Sequence, residues 1–204
     1  SKKKQLSAIN DNEKLFSLPK QWEWVKLGNT GNIFSGNSIN KNEKESKYIN
    51  LKSGRPYIGT KDVGYGRDKL DYNNGILIPI DEKKYKIAHK NSVLICSEGG
   101  SAGKKIGITD LDICFGNKLF ANEVFLGVNP RFIFYFYQSK IFFNEFSKNM
   151  TGIIGGISLQ KFINIPVPIP TEKHQDKVVR KIDELMVLCD RLEQQNFNSH
   201  EAHE

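Results

Sequence analysis

The segment Glu98-Gly-Gly-Ser-Ala-Gly-Lys-Lys105 gathers a carboxylate, a hydroxyl, three glycines and a lysine pair directly behind the apolar run Ser92–Ser97. A strand followed by a Gly-rich turn that ends in Lys is the setting of a phosphate loop. The pattern G-x-x-x-x-G-K-[ST] is nevertheless not met. Gly99 and Gly103 are one residue too close, and Lys105 stands where Ser or Thr should bind magnesium. A short β run is expected to follow, not a helix. The glycines still allow close backbone approach to a ligand. Ser97, Glu98, Ser101, Lys104 and Lys105 supply both polarities around them. A Glu can accept from a cytosine amino group, and a Lys can reach guanine or phosphate. A tight hairpin with incidental charges would use the same residues.

A second polar cluster runs from Lys52 through Arg55 and Tyr57 to Lys61, Tyr65 and Arg67, broken by Gly54, Gly59, Gly64 and Gly66. Basic and aromatic residues on turns suit phosphate and base contacts. They are equally what solvated turns contain. Catalytic patterns are missing from the sequence. There is no methyltransferase Gly motif and no Asp/Asn-Pro-Pro-aromatic tetrad. Asp81-Glu-Lys-Lys84 is a compact charge run and not a nuclease constellation. No triad context surrounds any Ser, Cys or His. Cys96, Cys114 and Cys189 are odd in number and far apart, and each lies in an apolar run. They read as small buried residues in a reducing cytosol. His89, His174, His200 and His203 show no metal-ligand spacing.

Charge divides the chain. Residues 1–170 hold 25 Lys/Arg against 15 Asp/Glu, a balance of +10; the remainder holds 5 against 8, a balance of −3. A basic body with a separate, slightly acidic tail points to a polyanion for the first and a protein partner for the second. No long uncharged apolar run and no apolar stretch behind the first residues suggest a membrane span or signal peptide.

The elements that must position these residues follow from pattern. Residues 1–17 are polar and expected to be loosely held. Residues 18–170 form the globular domain, opened by Trp22-Glu-Trp-Val25. Strands are expected at Asn32–Phe34, Pro56–Thr60, Gly75–Ile80, Ser92–Ser97, Lys105–Thr109, Asp112–Phe115 and Leu119–Phe125. The charged stretch Asn37–Asn50 reads as a surface loop. Asn129-Pro130 is a helix start, and Phe132–Phe146 reads as one aromatic-rich helix. Thr151–Gly156 is a Gly-rich loop, Ser158 caps a short turn to Phe162, and Ile163–Ile169 is extended with prolines that suit an edge. Thr171 then caps a helix over 171–195, with 196–204 a polar tail. Val178, Ile182, Leu185, Cys189 and Leu192 recur at spacings of 4, 3, 4 and 3, the seam of a short coiled coil. Val179, Met186 and Leu188 widen the stripe. Such a helix needs a partner, whether its own domain or another chain. The class is α+β: a mostly β domain with one or two packed helices and a protruding C-terminal helix.

Four stretches together resemble one known family. Leu18-Pro-Lys-Gln-Trp-Glu-Trp-Val-Lys-Leu27 resembles the start of a target recognition domain. Tyr57-Ile-Gly-Thr-Lys-Asp-Val63 resembles an extended segment of that domain, and Ser92–Gly116 its central strands and Gly-rich turn. Ile157-Ser-Leu159 through IPVPIP to Lys181-Ile-Asp-Glu-Leu185 and Cys189-Asp-Arg-Leu192 resembles the domain's end and its spacer helix. The family is the specificity subunit of Type I restriction–modification systems, of which this chain is similar to the first half, as a truncated piece or a natural half-subunit. One departure is at the helix start, where the family's apolar residue and Glu-Gln pair are replaced by Glu172 and His174-Gln175. The resemblance implies a non-catalytic protein that reads one part of a bipartite target in double-stranded DNA. Asn117 and Lys118, in the DICFGNK stretch, complete the candidate DNA-contacting set. It further implies that the helix, through Val178, Ile182, Leu185, Met186, Cys189 and Leu192, packs against a second specificity half or a second copy. Methyltransferase subunits would dock there, and a motor-nuclease subunit would join through the assembly. No cofactor is implied for this chain; S-adenosylmethionine, magnesium and ATP would belong to those partners. The recognition module of a fused restriction enzyme, or a coiled-coil adaptor that ignores DNA, would share the domain-plus-helix pattern.

Overall fold

A computed structural model describes residues 6–152 and 155–201, with side chains through Gln195. Among the described residues, ten strands make three sheets, and five α-helices accompany them. A ribbon pairs β1 (Trp22–Lys26) with β10 (Pro166–Pro170). One four-stranded sheet has the order β2 (Gly31–Ser35), β9 (Leu119–Val124), β6 (Val93–Cys96), β7 (Ile106–Ile108). The other has the order β4 (Leu77–Ile78), β3 (Arg55–Ile58), β8 (Ile113–Phe115), β5 (Ile87–Ala88). Among these strands, all pairings are antiparallel except β3 with β8.

The apolar run Val93-Leu-Ile-Cys96 shows how the layers stack. Successive strand residues face opposite sides. Val93 and Ile95 enter a core under the helices, with Phe132, Ile133, Phe142, Phe146 and Phe162. Leu94 and Cys96 enter a second core shared with Ile58, Ile113 and Phe115 of the other sheet. The strand is apolar throughout because the sheet is covered on both faces. The second sheet repeats the device: Cys114 and Tyr57 point away from the shared core into a third cluster with Tyr48, Ile78 and Tyr85.

The covering helices are α2 (Pro130–Tyr137), α3 (Lys140–Asn149) and α4 (Leu159–Ile163). The single helix expected over Phe132–Phe146 is thus two. Ser139 stops the first and caps the second, its hydroxyl accepting from Phe142 N–H at 3.2 Å. A side chain that satisfies an orphan amide makes a helix start stable. Asn129 caps α2 as expected, accepting from Arg131 N–H at 2.8 Å. The stretch expected to be a charged loop folds instead into α1 (Lys41–Glu43) and a π turn, Lys44–Tyr48. Asn40 caps it, Glu43 pairs with Lys84 at 2.6 Å, and buried Tyr48 anchors it.

The N-terminal segment is held more firmly than its composition suggests. Leu6 N–H donates to Asn29 Oδ1 at 3.1 Å, Lys26 Nζ to Ser7 Oγ at 3.0 Å, and Trp24 Nε1 to the Phe16 carbonyl at 3.0 Å. Residues 1–5 lie outside the described residues. The last helix, α5 (Glu172–Glu201), is 30 residues long, about 45 Å at 1.5 Å per residue. It runs past residue 195 into the stretch read as a polar tail, of which 202–204 lie outside the described residues. No helix among the described residues is long and apolar enough to cross a membrane.

Candidate nucleic-acid interface

Strand direction decides which turns meet. The ends of β3, β6 and β8 and the starts of β7 and β9 all lie at one edge of the stacked sheets. Cys96 pairs with Leu119, and Tyr57 and Ile58 run parallel beside Cys114 and Phe115. The edge therefore collects Gly59–Asp62, Glu98–Lys105 and Gly116–Lys118. Backbone bonds lock them together: Ser97 N–H to the Lys118 carbonyl at 2.9 Å, Gly116 N–H to the Ile58 carbonyl at 2.9 Å, and Gly99 N–H to the Gly155 carbonyl at 2.8 Å. The last bond brings in the loop after α3, which bridges Glu98 through Gly156.

Lys61 and Lys104 are exposed on this edge. Lys105 Nζ donates to the Thr60 carbonyl at 3.0 Å and sits 5.4 Å from the centroid of the Tyr65 ring, which is 62% exposed. Lys118 Nζ lies 3.3 Å from Glu98 Oε1. Burial pushes the Cys96 thiol up, while its bond to the Glu98 carbonyl and, less, Lys105 and Lys118 pull it back. Ser101 and Asn117 complete the edge, Ser101 accepting from the Lys104 amide at 3.0 Å. Exposed cations of this kind can meet phosphates.

Other expected contacts lie elsewhere. Lys52 and Arg55 stand at the opposite end of β3 from Lys61; Arg55 Nη1 donates to the Ile80 carbonyl at 2.9 Å. Tyr57 is buried, and its hydroxyl donates to the Asn37 carbonyl at 2.7 Å. Burial pushes its phenol up to about 12. Its ring supports the fold and is not offered to a base. Ser97 is likewise buried, a backbone link between Lys118 and Ile157. Arg67 is tied to the long helix, 3.3 Å from Glu193 and 3.5 Å from Asp190. The sequence reading does not include Asn37 or Lys86, yet both reach the same edge: Asn37 N–H bonds the Phe115 carbonyl, and its Oδ1 accepts from Lys86 N–H at 2.9 Å.

The helix has two faces. At about 100° per residue, Gln175, Val179, Asp183, Met186 and Asp190 fall on one stripe, and this stripe faces the domain. Val179 is buried in the main core. Met186 lines a cleft with Phe134, Tyr135 and Arg67, so it is not part of an outward seam. Asp176, Asp183 and Asp190 repeat every seven residues, and each meets the domain. Asp176 accepts from Asn129 Nδ2 at 2.8 Å, Asp183 from Arg131 at 2.6 Å and from the Tyr135 hydroxyl, and Asp190 pairs with Arg67. Burial and the bond to Asp183 both raise the Tyr135 phenol. Gln175, 1% exposed, is the keystone. Its Oε1 accepts from Asn129 N–H at 2.8 Å, and its Nε2 donates to the Gly127 and Pro170 carbonyls at 3.0 and 3.1 Å. A buried amide with all these partners fixes where the helix leaves the domain.

The expected seam splits accordingly. Val178 packs against the domain's main core, and Ile182 is half-buried. Leu185 and Leu192 are 50% and 59% exposed, Cys189 is exposed and not the buried residue expected, and Leu188 stands beside them.

The comparisons agree with this architecture. Residues 19–199 match the family model of the Type I restriction modification DNA specificity domain. The specificity subunits of the Escherichia coli Type I restriction enzymes EcoEI and EcoAI are each 28% identical over 213 aligned residues, which take in 100% of this chain and 34% of theirs. The chain thus spans about a third of the length of the curated relatives it matches. A chain solved in work on complex assembly and conformational transition of the type I R-M system superposes with a TM-score of 0.70 at 22% identity, over 87% of this chain and 41% of that one. The HsdS subunit from Thermoanaerobacter tengcongensis does so with a TM-score of 0.68 at 21% identity, over 88% of this chain and 41% of that one. Those likenesses bear out the mixed α+β class and the long C-terminal helix. With nearly its whole length covered by the family model, the chain belongs to the Type I restriction modification DNA specificity domain family.

Proposed function

We propose that this chain reads one part of a bipartite target in double-stranded DNA through the turn edge of its stacked sheets, without catalysing a reaction itself. The observation that carries the reading is the convergence of Gly59–Asp62, Glu98–Lys105 and Gly116–Lys118 at one end of the fold, bonded through their backbones. The edge offers Lys61, Lys104 and Lys105 to phosphates and the Tyr65 face to stacking or a sugar contact. In the same reading, the outer flank of α5 packs on a second specificity half and carries the methyltransferase subunits. The inner flank, clamped through Asp176, Asp183 and Asp190, holds the reader at a fixed angle to that assembly. A partner of this kind would cover Leu185, Leu188 and Leu192, which leave the helix half-exposed.

The test is binding to labelled duplexes between about 50 and 200 mM salt. A protein that neutralises phosphates loses affinity steeply over that range, and each lost phosphate contact lowers the log–log slope by about 1. Lys104→Ala/Lys105→Ala should reduce the slope by about 2 and weaken all sequences alike. Affinity that stays flat with salt would overturn the DNA reading. Co-purification with methyltransferase subunits, lost in Leu185→Asp/Leu192→Asp but kept in Lys104→Ala/Lys105→Ala, tests the helix part.

A further inference from the structure

The docking edge carries a charge that does not suit a polyanion. Its turns hold Lys61, Lys104, Lys105 and Lys118, and two carboxylates, Asp62 and Glu98. Asp62 is buried and consumed by the fold: its Oδ2 accepts from Gly59 N–H at 2.8 Å and from Asn74 Nδ2 at 2.7 Å. Glu98 is not. Its side chain is 44% exposed, and its Oε1 lies 3.3 Å from the Nζ of Lys118, itself 52% exposed. An exposed carboxylate repels phosphate and lowers affinity for any duplex, unless the ligand offers it a donor. In the major groove, the donors are the exocyclic amino groups of cytosine and adenine.

We propose that the Glu98–Lys118 pair is a specificity-determining element that reads a single cytosine–guanine base pair. The inference rests on the DNA-docking reading above. In a cytosine–guanine pair, the cytosine amino nitrogen and guanine O6 are partners in an ordinary N–H···O bond, so they stand about 2.9 Å apart. Glu98 and Lys118 present an acceptor and a donor at nearly the same separation, 3.3 Å. The outward amino hydrogen then donates to Glu98, and Lys118 donates to O6 in a second, parallel bond. Beyond O6, guanine offers N7 as another acceptor for Lys118. An adenine–thymine pair presents the same amino–carbonyl order, but the thymine methyl follows the carbonyl. Lys118 therefore favours guanine. The turn permits the approach: nothing lies within 4 Å of where a side chain would start at Gly99 or Gly100. Gly156 backs Glu98 from the other side, where a Cβ would stand 3.3 Å from Glu98 Cγ.

The experiment is selection of bound sequences from a randomised duplex library by the full-length protein. It is followed by affinity measurements on the selected site with each cytosine replaced in turn by N4-methylcytosine. The wild type should prefer cytosine–guanine at one position by about tenfold or more, and N4-methylation at that position alone should erase the preference. Glu98→Ala should lose the preference there, keep the rest of its profile, and bind unrelated DNA as well as or better than the wild type. Glu98→Gln, which keeps a carbonyl acceptor, should retain part of the preference. The idea falls if Glu98→Ala keeps the whole profile, or if it melts as the wild type does while weakening every sequence equally. It also falls if no single cytosine is sensitive to N4-methylation, an arm that needs no variant. A wild type that fails to bind duplex DNA would overturn the DNA reading itself; a preference that survives Glu98→Ala overturns only the assignment of the pair.

Discussion

Replacing Gly103 by Ala tests whether the Gly-rich turn is shaped by the core beneath it. Gly103 has a φ of 71°, and a Cβ there would stand 2.8 Å from Phe146 Cδ1 and 2.9 Å from Cε1. Phe146 is fully buried and packs on Phe142 and Phe162, so its ring has nowhere to retreat. Two costs add. A left-handed backbone costs an L-residue about 1–2 kcal/mol, and forcing a methyl into a packed core costs about 1–3 kcal/mol. The sum is about 2–5 kcal/mol, which in a domain of this size lowers the melting temperature by about 4–20 °C. Gly100→Ala is the control, since that Cβ meets nothing within 4 Å, and it should stay within about 0.5 kcal/mol of the wild type. Urea unfolding of the two variants beside the wild type decides the matter. A Gly103→Ala protein as stable as Gly100→Ala would refute the reasoning. It would show that the turn is a loose loop whose position owes nothing to α3.

Val179→Asp places a carboxylate in the core beneath α5 and should cost more than about 3 kcal/mol, whereas Leu185→Asp, on the half-exposed flank, should leave the melt nearly unchanged and abolish self-association in sedimentation. Arg67→Ala removes an exposed ion pair with Asp190 and Glu193 and should cost under about 1 kcal/mol. It should also leave DNA affinity and its salt slope unchanged, because this guanidinium is engaged by the helix. Tyr57 makes the fold sensitive to alkali. Burial holds its phenol at about 12 against an ordinary value of 10.0, so its share of stability is complete below pH 10 and drains away as pH rises toward 12. Burial raises the Tyr48 and Tyr137 phenols as well, so Tyr57→Phe should make that limb of a denaturation–pH profile less steep without removing it; an unchanged slope would place the alkaline transition on other groups.

Periodicity and charge, read from the sequence alone, were enough for much of this. The run Ser92–Ser97 announced a strand covered on both faces, because a sheet buried on one face would have alternated. Asn129-Pro130 announced a helix start, since a cap and a fixed φ are local properties of two residues. The 4-3-4-3 spacing announced α5. The +10 balance of residues 1–170, with no catalytic spacing, pointed toward a polyanion as partner. What the tertiary structure decided is where each polar side chain is spent. Arg67 and Tyr65 are two residues apart in the chain, but one reaches a helix more than 120 residues on and the other faces solvent. Tyr57 and Lys61 share a segment, and only strand order shows that the first is buried beside Tyr85 and Cys114 while the second stands exposed at the rim. Ser139 split an apolar stretch that periodicity joined, because a cap outweighs a continuous stripe once Phe142 N–H needs an acceptor. Gln175 looks like any polar residue on a helix until Asn129, Gly127 and Pro170 close around it. Local pattern fixes which elements form, because their bonds lie within a few residues. Long-range pairing fixes which side chains remain available, since a hydrogen bond made inside the protein is one that a ligand does not receive.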